Sequence, residues 1–259
     1  MQSSNPVLGR AFGNGKRGYA AFDPSSTTTQ VDSSQLEDLY NAPAASSLRT
    51  GRMTIDDVVT RTGILFAVLV VTGAGAWTLN FGGGALMVGL LGGFVLAMVN
   101  SFSKTVRPAL IVAYAGFQGV TLGTLSHIYN SAYPGIVSQA VIATLCAFAG
   151  MLFAYRSGKI RVTPKFTRVM LGSLIGYLIL SVVTIFTGFP AGGLGLLIAV
   201  AGVGLASFFL VLDFDQIEKG IAAGAPQQES WRAAFGLMVT VVWLYLEVLR
   251  LLSILRSND

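Results

Sequence analysis

From residue 58 onward the sequence alternates long apolar stretches with short polar breaks. The apolar stretches cover about 58–79, 85–103, 109–128, 136–155, 169–188, 194–217 and 233–255. Each is close to the roughly 20 residues that an α-helix needs to cross the hydrocarbon core of a bilayer. Pro108, Pro134, Pro164, Pro190 and Pro226 all fall in the breaks. A ring that removes a backbone donor and restricts the residue before it is harmless there and damaging inside a helix. The shortest break is Asn80-Phe81-Gly82-Gly83-Gly84. The pattern predicts an all-α integral membrane protein, a seven-transmembrane-helix bundle over residues 51–259.

Residues 1–50 are of another kind. They are rich in Ser, Thr, Asn, Gln, Pro and Gly and contain no apolar run. Such a segment cannot bury enough surface to offset its ordering entropy. It is expected to be a disordered polar tail, and it lacks the apolar core of a cleavable signal peptide.

Composition sharpens the picture. Hydrophobic residues make up 53% of the 259 and charged residues 11%, with a mean hydropathy of +0.67. A soluble domain carries about 25% charge to wet its surface. No Asp, Glu, Lys or Arg occurs in 62–103, 108–155 or 169–212, which excludes a water-soluble α/β enzyme of this length. The net charge of +5 is therefore a topology signal and not a nucleic-acid footprint.

The basic residues are sorted by break. Arg49, Arg52 and Arg61 precede or open the first stretch, and Lys104 and Arg107 fill the second break. Arg156, Lys159, Arg161, Lys165 and Arg168 fill the fourth, and Lys219 and Arg232 the sixth. The first, third and fifth breaks (80–84, 129–135 and 189–193) hold no charge. Basic loops stay cytoplasmic. The tail and the N-terminus are then expected inside, with the C-terminus outside.

Catalytic and metal chemistry find little support. Cys146 is the one cysteine and His127 the one histidine, so an internal disulfide, a thiolate cluster and a His-rich metal site are excluded. Ser126 adjoins His127, but neighbours in sequence do not face one another on a helix. No nucleophile–base constellation follows, so the expectation is a non-enzyme without a resident cofactor. Gly89 with Gly93, Gly119 with Gly123 and Gly172 with Gly176 have the small-xxx-small spacing that lets helix backbones approach closely in lipid.

Ionisable groups at membrane depth are costly and so mark candidate sites. One cluster closes the sixth stretch: Leu212-Asp213-Phe214-Asp215-Gln216-Ile217-Glu218-Lys219. At helical spacing Asp213 and Asp215 point roughly 200° apart. Asp215, Glu218 and Lys219 share one face and read as a solvated helix end, with Asp215 and Lys219 spaced as an ion pair. Asp213 points back toward the bundle. The seventh stretch carries Glu247 and Arg250 at i, i+3, the spacing of a structural ion pair. Alternatively, Glu247 meets Asp213. Two adjacent carboxylates cannot both ionise cheaply, so they share a proton and titrate as a unit. Deprotonated, the same pair suits a hard cation such as calcium.

Three segments carry a family resemblance. They are Ala113-Tyr114-Ala115-Gly116-Phe117-Gln118-Gly119-Val120-Thr121-Leu122-Gly123, Leu212-Asp213-Phe214-Asp215-Gln216-Ile217, and Leu244-Tyr245-Leu246-Glu247-Val248-Leu249-Arg250-Leu251-Leu252. With them in order over 58–255, the chain resembles the bacterial branch of the Bax inhibitor-1 family. Asn5-Pro6-Val7-Leu8 is also similar to a bacterial subgroup. The resemblance implies a seven-helix bundle with the last helix at its centre, in the bacterial inner membrane. It also implies a pH-sensitive calcium leak held closed by an acidic pair between the sixth and seventh helices. By motif that pair falls on Asp213 and Glu247, with Asp215 a rival and Arg250 beside it. The chain departs from the family in having Glu247 where Asp is usual, and in a long connection over 219–232.

The expected partners are membrane lipid, protons or calcium as permeant ions, and other membrane proteins. The competing expectation is a non-conducting interaction protein that modulates a membrane protease or a stress response, with the polar tail as its handle.

Overall fold

The computed structural model describes residues 51–188 and 192–257. The tail of residues 1–50 lies outside them, so its expected disorder and its expected use as a handle do too.

Seven helices follow in order. They are α1 Ile55–Thr78, α2 Gly83–Phe102, α3 Pro108–Ala132, α4 Ile136–Arg156, α5 Pro164–Thr187, α6 Gly193–Ala222 and α7 Glu229–Ser257. All seven are long and apolar enough to cross a membrane, and no strand occurs among the described residues. The protein is a multi-pass helical membrane protein.

Helix ends overrun the apolar stretches where capping chemistry allows it. Thr54 and Asp57 form a reciprocal capping box at the start of α1. It satisfies two backbone donors that a helix start leaves unpaired. Thr163 accepts from the Phe166 amide, and Pro164 occupies the first turn. α5 therefore begins ahead of its apolar stretch and takes Lys165 and Arg168 into its first turns. α6 runs to Ala222 and α7 begins at Glu229, so the seemingly long connection over 219–232 is mostly helix.

The last helix is the core. α7 packs against α1, α3, α4 and α6, while α2 rests chiefly on α3 and α5 chiefly on α6. Its residues 241, 242, 244, 245, 247, 248 and 249 are all buried. Burial on every side is what a central helix shows, in contrast to the single stripe of a peripheral one. The outer faces of the surrounding helices are apolar and exposed, as at Phe102, Phe153 and Phe186. That is the surface a lipid-embedded bundle needs.

Two of the three glycine pairs serve close approach. A Cβ at Gly119 or Gly123 would run into the backbone of α1 at Leu69 or Gly73. A Cβ at Gly89 would meet the Thr121 hydroxyl and backbone of α3. Gly172 and Gly176 face open space instead, because α5 lies at the rim.

The end carrying the basic breaks is tied shut. Met53 N–H donates to Ala225 O at 2.8 Å and Gln227 N–H to Gly51 O at 2.8 Å. The segment before α1 thereby forms a bridge with the α6–α7 turn. Gln227 Nε2 donates to Asp57 Oδ1 at 2.9 Å, and Arg61 lies 5.4 Å from the Trp231 ring centroid. Arg232 Nη2 donates to Ser103 O at 3.1 Å and Lys104 O at 3.2 Å, holding the α2–α3 break to the start of α7.

Candidate functional site

Glu247 sits two-thirds of the way along α7 and is 8% exposed. A carboxylate at that depth needs donors. Tyr177 of α5 donates its hydroxyl to Oε1 at 2.6 Å. Trp243, one turn earlier on α7, donates Nε1 to the same oxygen at 3.1 Å. Arg250 Nη1 lies 3.7 Å from Oε2. The i, i+3 ion pair is therefore present, with Tyr177 and Trp243 added to it. Gly202 of α6 makes room: a Cβ there would stand 2.5 Å from Glu247 Oε2 and 2.5 Å from Tyr177 Oη.

Asp213 belongs to a second place. Its Oδ2 is buried and makes no hydrogen bond with the protein. The hydroxyl beside its carboxylate is that of Thr240 on α7. It borders a cavity of about 220 Å³ at the basic end, with Met53, Gln216, Glu229, Arg232 and Gly236 among the other walls. Glu229 and Arg232, one turn apart on α7, pair along one wall at 2.9 Å.

Asp215 points elsewhere, as helical spacing predicts. Its Oδ2 lies 2.6 Å from Lys219 Nζ, and Glu218 on the same face accepts from the Tyr155 hydroxyl of α4. The division into one inward carboxylate and one charged outer face is what the structure contains.

The structure does not bring Asp213 and Glu247 together. Asp213 lies nine residues before the end of α6 at Ala222, and Glu247 eighteen residues after the start of α7 at Glu229. At 1.5 Å per residue the two carboxylates differ in depth by roughly 13 Å. The residue of α6 that does meet Glu247 is Gly202, three turns before Asp213. The offset lies in the sequence positions themselves: Asp213 is four residues from the end of its apolar stretch and Glu247 fourteen from the start of its own, and the two helices overrun those stretches by similar lengths, so the acids stay at different levels. A shared calcium site on the two carboxylates is corrected for the same reason. Calcium takes six to eight oxygens, and among the described residues no group of three or more His, Cys, Asp or Glu could hold a metal.

A family model described as Bax inhibitor 1 like matches residues 5–257. The chain belongs to that family. A comparison with curated proteins gave no match. As a Bax inhibitor 1 like protein, the chain carries its two membrane-depth carboxylates at separate levels of the α6–α7 pair.

Several residues of these places were not legible beforehand. Tyr177 left one signal, a phenol in the middle of a charge-free stretch, where a buried hydroxyl seeks a partner. Trp243 and Thr240 precede Glu247 at i−4 and i−7 and so lie on its face. Gly202 left none, since it falls outside the three glycine pairs. Ser126 bonds Tyr245 Oη at 2.6 Å, while His127 stacks edge-on against Trp77 with ring centroids 5.4 Å apart. The two neighbours thus serve different helices.

Proposed function

We propose that the chain is a pH-sensitive cation leak, with calcium as permeant ion. It acts in the bacterial inner membrane with its N-terminus cytoplasmic and its C-terminus outside. The observation that carries the reading is a buried carboxylate oxygen, Asp213 Oδ2, without a protein hydrogen bond and beside a cavity at the basic end. Glu247 gives a second acidic station deeper along the same helix pair. Deprotonated, each station attracts a hard cation, and protonated it does not.

Charged neighbours moderate both stations. Arg232 and Glu229 flank the first, and Arg250 and the Tyr177 hydroxyl flank the second. The gate in this reading is protonation at separate levels, not one shared proton. The family resemblance supports calcium, and the sorting of basic breaks supports the orientation. No catalytic role and no resident cofactor are part of the proposal.

Calcium flux into dye-loaded proteoliposomes between about pH 6 and 8 tests it. Flux should rise with pH as Asp213 deprotonates. Asp213→Asn should flatten the profile, and Asp215→Asn, whose partner is Lys219, should leave it unchanged. Absence of flux at every pH would overturn conduction and leave the non-conducting interaction protein, acting through residues 1–50 on other membrane proteins.

A further inference from the structure

A second, larger cavity opens at the basic end between α1, α4 and α6, with a volume of about 780 Å³. Its walls have two characters. Val59 of α1 and Leu152 of α4 are exposed apolar side chains on its flank, and Phe214 and Leu237 lie deeper. Its rim carries Arg156 at the end of α4 and Arg161 in the break that follows. Two carboxylates also border it. Asp215 is neutralised by Lys219 at 2.6 Å, and Glu218 accepts from the Tyr155 hydroxyl and keeps one negative charge against the two arginines. Arg156 and Arg161 have no carboxylate partner among the described residues. The rim is left with an excess of positive charge, in a break that also holds Lys159, Lys165 and Arg168.

Two guanidiniums on the rim of an apolar trench suit a phosphodiester with an acyl chain attached. A guanidinium fork binds phosphate in a geometry that an ammonium cannot reproduce. Basic pockets between transmembrane helices are where anionic headgroups lodge. The trench is continuous with the apolar flank of α1 and α4, so a chain can enter it sideways from the bilayer. We propose that this groove is a binding site for a single anionic phospholipid. Its phosphate sits on Arg156 and Arg161, and one acyl chain runs along Val59 and Leu152. The site is separate from the Asp213 and Glu247 stations and does not depend on conduction.

Native mass spectrometry of the full chain, released from detergent micelles containing equal phosphatidylglycerol and phosphatidylcholine, tests the site. Wild type should retain one phosphatidylglycerol in preference to phosphatidylcholine. Arg156→Gln with Arg161→Gln should weaken that retention roughly 30-fold, from two headgroup charges removed. Lys165→Gln with Arg168→Gln, outside the groove, should keep it within about twofold. Leu152→Trp fills the trench without touching a charge and should also abolish retention, which keeps the test open if the double arginine variant does not fold. Equal loss from both charge pairs would show a diffuse basic surface and overturn the site. So would equal retention of the two lipids, or full retention in Leu152→Trp. Displacement of the lipid by inorganic phosphate at millimolar concentration would also overturn it, because the acyl chain would then contribute nothing.

Discussion

Gly202 and Glu247 face each other across the α6–α7 interface so closely that a methyl group on the glycine would stand 2.5 Å from Glu247 Oε2. The same methyl would stand 2.5 Å from Tyr177 Oη, so the glycine is the floor on which the tyrosine–glutamate bond is laid. An acidic group deep in a bundle thus owes its placement to a residue with no side chain.

Replacing that floor should be felt. Gly202→Ala must move a carboxylate held by Tyr177, Trp243 and Arg250, and overpacking of this sort costs about 1–3 kcal/mol. Gly204→Ala, with nothing within 4 Å of its Cβ position, serves as the control. Thermal unfolding in detergent should show a lower midpoint for the first and little change for the second. Equal midpoints would mean the Glu247 side chain has a second rotamer with room to spare.

The glycine pairs make a companion case. At Gly123 an added Cβ would collide with the Gly73 backbone, which cannot swing away as a side chain can. Gly123→Ala should therefore force α1 and α3 apart and destabilise by several kcal/mol or prevent folding, whereas Gly172→Ala should be tolerated. Yield of monodisperse protein and the unfolding midpoint compare the two directly.

Much of this architecture was legible because the bilayer imposes one rule on the whole chain, that backbone groups be satisfied within a helix. Apolar stretches therefore located all seven helices. Facing was legible too, since Asp213 and Asp215 two residues apart must diverge. Register between helices was not. The apolar stretch of α6 stops near Ile217 while the helix continues to Ala222, and hydropathy is blind to a helix that continues into water. Nor does spacing reveal contacts between distant helices such as Tyr177 with Glu247. The Asp213–Glu247 pair was expected from motifs alone, and the offset between the two helices separates it.

Orientation is open to a direct check. A reporter active only outside the inner membrane should be bright when inserted within 129–135 and dark after Gly158. The five basic residues of 156–168 should anchor their break on the cytoplasmic side. A bright signal at Gly158 would invert the whole arrangement, because seven helices leave no freedom to flip one break alone.

The separation of the two carboxylates has its own energetic signature. Side chains in direct contact show coupling energies of about 0.5–3 kcal/mol in a double-mutant cycle, while sites more than about 10 Å apart add within roughly 0.5 kcal/mol. Tyr177→Phe and Glu247→Gln remove two ends of one hydrogen bond at 2.6 Å, so their cycle should show strong coupling. Tyr177→Phe alone should cost about 1–3 kcal/mol, since a buried carboxylate oxygen loses a donor. Asp213→Asn and Glu247→Gln act at levels roughly 13 Å apart, with Thr240 and Gly202 as their respective neighbours, so their effects should add. Unfolding free energies of the three single and two double variants with wild type, measured in one detergent at one pH, supply both cycles. Coupling between Asp213 and Glu247 as large as that of the Tyr177 pair would mean that α6 and α7 slide by several turns into a state where the two acids meet. Additivity there, beside strong coupling at Tyr177, would establish that the two acids do not interact directly in the folded bundle.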